Sequence, residues 1–147
     1  MTLAQNGNPG YLTGIELMIS PSGQSFTEVN SCYLTGTMST SGALVYVFPS
    51  LRNDAGTGSV TGSGATAFPT SLWDPPGTWE NSQCVLSANQ STASQGGTYP
   101  FNTMQIRPSF RYKTPYVGLH NVWGKVNNGA GYSSGWQPAT SLLTVLP

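Results

Sequence analysis

The 147-residue chain is poor in charge. Lys, Arg, Asp and Glu make up 7% of it, against roughly a quarter in an average soluble protein. Five basic side chains balance five acidic ones. Nucleic-acid binding needs a concentrated positive field, and five scattered cations do not make one. The same neutrality argues against anionic membrane surfaces. No apolar run approaches the ~20 residues of a spanning helix, so no membrane insertion is expected. His120 is the single histidine, which excludes a metal site of several imidazoles. No G-x-S-x-G context surrounds a serine that it would activate. The two cysteines, Cys32 and Cys84, form no CxxC pair, and zinc on one His and two Cys would need a distant fourth ligand. Helical periodicity is missing too, because Gly or Pro breaks every window that begins to show it. No metal and no cofactor is expected.

Solubility therefore falls to Ser, Thr, Asn, Gln and Gly, a composition common on secreted and surface proteins. Sixteen aromatic residues are enough to supply most of a core, so disorder is the wrong reading despite 18 Gly and 11 Pro. The length suits one domain, residues 1–147. Met1 to Gly10 carries neither a basic segment nor a long apolar stretch and reads as no signal peptide. An exported protein with this sequence has lost its signal or begins inside a longer chain.

Short β-branched and aromatic runs alternate with turn residues at the spacing of a sandwich or barrel. The runs read as strands are Thr2-Ala4, Leu12-Ile19, Ser31-Thr37, Ala43-Phe48, Gln83-Ser87, Met104-Phe110, Val117-Val126 and Ser141-Leu146, with one weak strand between Leu51 and Ser71. Ile15, Leu17 and Ile19 share a face, as do Cys32 and Leu34, and Leu143 and Val145. In the seventh run Val117 and Leu119 start an alternation that Val122 and Val126 continue imperfectly. Eight or nine short antiparallel strands is a sandwich count. Turn chemistry sits between them, as in Asn53-Asp54-Ala55-Gly56 and Asn127-Asn128-Gly129. Thr70 to Trp79 is a longer, stiffer loop that holds two tryptophans.

Each cysteine lies in a β-like stretch, which suits a disulfide between strands or sheets; two buried free thiols are the alternative. Such a bridge would stabilise the fold by at most ~4 kcal/mol through loop closure.

Two groups of segments form a wider pattern. One is Asn81-Ser82-Gln83-Cys84-Val85-Leu86, Gly118-Leu119-His120-Asn121-Val122-Trp123 and Gly131-Tyr132-Ser133-Ser134-Gly135-Trp136-Gln137. The other is Asn30-Ser31-Cys32-Tyr33-Leu34 and Leu51-Arg52-Asn53-Asp54-Ala55-Gly56-Thr57. Together, over roughly residues 2 to 146, they resemble a repeated immunoglobulin-like domain of large secreted multi-domain proteins of soil bacteria. The resemblance implies an all-β, antiparallel immunoglobulin-like sandwich in an extracellular modular role, with the two cysteines at family-like positions. It implies no catalytic residues. Here the first strand is shorter than in that family, and the loop from Thr61 to Trp79 is longer.

Other chemistry is thin. His120 reads as a surface strand residue. Asp74 and Glu80 flank the tryptophan loop, but nothing fixes them as a glycosidase pair. Asn53-Asp54 and Asn127-Asn128-Gly129 lack the calcium-loop pattern. Lys113 and Lys125 are the only lysines available to an internal isopeptide bond. The aromatics are the one functional clue. Trp123 and Trp136 read as strand or corner residues, whereas Trp73 and Trp79, beside Asp74, would make a rim on which sugar faces stack. The expectation is an extracellular or cell-surface structural or adhesive module, not an enzyme. It would associate with itself or with neighbouring domains of an array. A carbohydrate-binding module that engages polysaccharide through Trp73, Trp79 and Asp74 is the alternative.

Overall fold

Short alternating runs bury one face only by pairing into sheets and stacking those sheets. The structure, a computed structural model, describes residues 2–4, 12–21, 26–41, 44–64, 67–68, 77–96, 103–129, 131–140 and 143–146. Its strands are β1 (Thr2–Ala4), β2 (Leu12–Pro21), β3 (Cys32–Ser41), β4 (Leu44–Leu51), β5 (Thr78–Glu80), β6 (Cys84–Gly96), β7 (Thr103–Tyr112), β8 (Gly118–Asn128), β9 (Gln137–Pro138) and β10 (Leu143–Val145). A single turn of 3-10 helix, Thr114–Tyr116, joins β7 to β8. Trp73 and Asp74 lie outside the described residues.

The strands form two antiparallel sheets. The smaller runs β1-β7-β6-β5, and the larger runs β10-β8-β2-β3-β4, with β9 also paired to β8. In immunoglobulin lettering the larger sheet has the G-F-C-C′-C″ order, and β1-β7-β6 has the order B-E-D. Among the described residues no strand stands in the A place. The fold is thus an all-β, immunoglobulin-like sandwich. Ile15, Leu17, Ile19, Leu34, Val47 and Leu51 of the larger sheet pack on Trp79, Leu86, Ala88 and Ile106 of the smaller one.

Four expectations need correction. The stretch after Leu51 holds no strand among the described residues. It is tied by single bridges at Arg52–Ser59, Ser63–Thr78 and Val47–Phe68, and fully buried Phe68 anchors it. A strand, β5, forms at Thr78–Glu80, inside the expected loop. Strand β6 runs on to Gly96, although its second half is polar. There β6 and β7 lose step between Ser87 and Thr92, and buried Ser91 stitches the bulge, donating to the Ser87 carbonyl and accepting the Ser109 amide. In β8 the inward phase is His120, Val122, Gly124 and Val126, because those residues pair with Pro21, Ile19, Leu17 and Ile15. Val117 and Leu119 face solvent. The break in their alternation marked a change of face.

Among the described residues, strand β1 pairs with β7 over Thr103–Gln105. An apolar groove of about 740 Å³ opens between the sheets, lined by Phe110, Tyr112, Val122 and Leu143 among others. Ser109 and Lys113 donate towards β6. By alternation the Phe110 and Tyr112 amides face away from β6, and Pro108 has none to add.

Candidate functional site

Cys32 and Cys84 are bonded, with Cα atoms 5.9 Å apart, so the bridge joins β3 of one sheet to β6 of the other. Asn81 lies beside it, buried. Its amide nitrogen donates to the Ser31 and Arg52 carbonyls at 3.1 and 3.0 Å, and its oxygen accepts the Gln83 and Cys84 amides at 2.9 and 3.0 Å. One side chain with all its capacity satisfied thus clamps three chain segments, which gives the Asn-Ser-Gln-Cys run a structural reason. Lys113 closes the corner, donating to the Asn81 carbonyl at 2.6 Å and pairing with exposed Glu80 at 2.5 Å.

Tyr116 performs a related task at the β7–β8 corner, the place of the tyrosine corner in immunoglobulin sandwiches. Here its hydroxyl donates to the Ile19 carbonyl and accepts the Cys32 amide. It therefore pins the β2–β3 hairpin and not the chain just upstream. Burial pushes its pKa well up, and it holds that of the neighbouring Tyr112 up to about 12.

The outer face of the larger sheet carries the most varied chemistry. Register sets its side chains in rows across three or four strands. Trp123, Met18 and Tyr33 make the first row, Lys125, Glu16, Thr35 and Ser50 the second, and Asn127, Gly14, Thr37 and Phe48 the third. The first row is covered. Phe26 packs on Trp123 and Trp136, Trp136 packs on Tyr33, and Met18 beneath is fully buried. The Lys125 ammonium lies 5.5 Å from the Trp136 ring centre, and the Arg52 guanidinium lies 5.6 Å from that of Tyr33.

Beyond this cover the third row, with Glu16, Thr35 and Ser50 of the second, lines an open cleft of about 360 Å³ that Arg52 also borders. Glu16 stands at its inner end. The carboxylate pairs with Lys125 at 2.7 Å and accepts the Tyr33 hydroxyl and the Asn127 amide. Burial alone would raise its pKa, but these three hydrogen bonds outweigh burial and hold the carboxyl below its ordinary 4.5. Arg52 is differently placed. No carboxylate among the described residues reaches it, and its Nε is shut off from water without a partner.

Of the expected rim residues, Trp79 alone lies among the described residues. Trp79 is 6% exposed and belongs to the core. A Cβ on Gly62 would stand 2.1 Å from its Nε1, so the backbone packs flat against the indole. The reason is that Thr78–Glu80 pairs with β6 and turns the ring inward. Trp73 and Asp74 lie outside the described residues, so Glu80 has no described acidic partner there.

His120 is also not on the surface. It is 4% exposed, stacked on Tyr116 with ring centres 4.0 Å apart, and its Nε2 bonds the Tyr116 carbonyl at 2.8 Å. The Asn53 side-chain oxygen accepts the Thr57 and Gly58 amides, and that of Asp54 accepts Ser82, so both are spent on turns. Sequence reasoning passed over Glu16, Arg52 and Phe48. The available signal was a lone acid in the apolar alternation of Leu12-Ile19. No family model, curated protein or solved structure matches the chain.

Proposed function

We propose that this domain is an extracellular structural or adhesive module, a unit of a repeat array or surface fibre whose partners are neighbouring units. The observation that carries the reading is the Cys32–Cys84 bridge between the two sheets. Disulfides persist in oxidising compartments and are rare in the cytosol. This one sits where Asn81 and Tyr116 also converge, so the cross-link, the clamp and the pin hold one end of the sandwich together. A surface module needs a frame that resists unfolding where no chaperone is present, and low charge with an amide- and hydroxyl-rich exterior suits that setting. The likeness to immunoglobulin-like repeats points the same way.

Thiol trapping in the intact cells that make the protein, followed by fractionation, tests the reading. The expected result is a protein without reactive thiols in the secreted or surface fraction. A reduced protein in the cytosol overturns it.

The carbohydrate reading does not rest on the tryptophan loop, because Trp79 is core. A different part of the molecule carries it further.

A further inference from the structure

The cleft on the outer face of the larger sheet is built from parts that suit a sugar, and among the described residues its one charge without an ion pair, Arg52, is positive. We propose that it binds an acidic saccharide, a segment of a uronic-acid-containing chain. The sugar ring lies over Gly14 against Phe48, and its carboxylate sits on the Arg52 guanidinium.

The floor is the first argument. Gly14 leaves the third row at backbone height between the Asn127 amide and the Thr37 hydroxyl. Packing does not demand this gap, since a Cβ on Gly14 would meet nothing nearer than the Asn127 side chain at 3.5 Å. The volume, about 360 Å³, falls at the lower end of small-molecule sites, and the cleft is open to solvent. It suits one or two rings of a longer chain.

The wall is the second. Phe48 keeps 44% of its surface in water, on a strand whose alternate residues Val45 and Val47 are core. An aromatic face beside hydroxyls and an amide offers stacking to the C–H face of a pyranose, while Thr37 and Ser50 offer hydrogen bonds to its hydroxyls.

The charge is the third. Lys125 is neutralised by Glu16, and Glu16 is spent on Lys125, Tyr33 and Asn127. Arg52 has neither an ion pair nor a side-chain hydrogen bond among the described residues. Its Nε alone is sealed, so its terminal nitrogens are the donors left open to the cleft. A guanidinium on an aromatic ring with its terminal donors free is arranged to take a carboxylate in two parallel hydrogen bonds. Arg107 and Arg111 also lack ion pairs among the described residues, but they lie exposed on β7 of the other sheet.

The test is calorimetry with oligomers of galacturonate, and with neutral cello-oligosaccharides for comparison. The parent should bind the uronate oligomers better than the neutral ones. Arg52→Gln and Phe48→Ala should each weaken uronate binding roughly tenfold or more, with melting temperatures near the parent's. Arg52→Lys, which keeps the charge and loses the planar fork, should fall between, and it serves as the reporter if Arg52→Gln folds poorly. Arg111→Gln should bind like the parent. Three results overturn the proposal: no uronate binding by the parent, equal binding by Arg52→Gln, or an equal loss in Arg111→Gln that marks unspecific attraction. None of them bears on the structural role, which rests on the bridge.

Discussion

The Tyr116 hydroxyl accepts the Cys32 amide at 3.3 Å, across 84 positions of sequence. The same oxygen donates to the Ile19 carbonyl. The bond places a tyrosine from the β7–β8 corner at the start of the β3 strand, next to the disulfide. Two buried backbone groups at the ends of β2 and β3 depend on one side chain.

Tyr116→Phe keeps the ring and its stacking on His120 but leaves both backbone groups unpaired. The cost should be about 1–3 kcal/mol, read as a lower midpoint in urea with an unchanged slope. A midpoint within error of the parent would show that water replaces the hydroxyl.

Trp79→Ala should behave as a core truncation. Its ring lies between Gly62 and the sheet, so its loss should cost about 3–5 kcal/mol. Thermal unfolding checks this against Phe48→Ala, which should change little because Phe48 is half exposed. Near-parental stability of Trp79→Ala would return the indole to the surface.

Acid should weaken the outer face of the larger sheet through Glu16. Its folded pKa is depressed, so the carboxylate contributes stability above its unfolded value, near 4.5. That contribution is lost as pH falls through the lower folded value. The melting temperature should drop on acidification below about pH 5, and Glu16→Gln should flatten the drop at the expense of stability near neutrality. Exposed Glu80, whose pKa Lys113 lowers, shifts in the same direction, so Glu80→Gln is the comparison. An acid profile unchanged in Glu16→Gln would remove Glu16 from this account.

Edge pairing should be restrained by Pro108. On the side of β7 that faces away from β6, Pro108 offers no N–H and Arg107 and Arg111 add charge nearby, and both features discourage pairing with a further strand. Pro108→Thr restores a donor to that edge. Sedimentation at several concentrations should show the variant associating more strongly than the parent. Equal behaviour would mean that the proline does not guard this edge.

The sequence by itself determined the class of fold. Low charge, absent helical periodicity and alternating runs such as Leu12-Ile19 leave a sandwich as the way to bury sixteen aromatics, because strand alternation is a local property. The positions of Cys32 and Cys84 in β stretches made their bridge legible for the same reason. Tertiary structure decided what local pattern cannot carry. Trp79 and His120 are buried because their strands pair with β6 and β2, and pairing sets which face turns inward. The cleft was invisible for a related reason. Gly14, Thr37, Phe48 and Asn127 are distant in sequence and become one row only through the register of four strands. Arg52 joins them because its amide bonds the Tyr33 carbonyl and Asn81 holds the Arg52 carbonyl just past the end of β4.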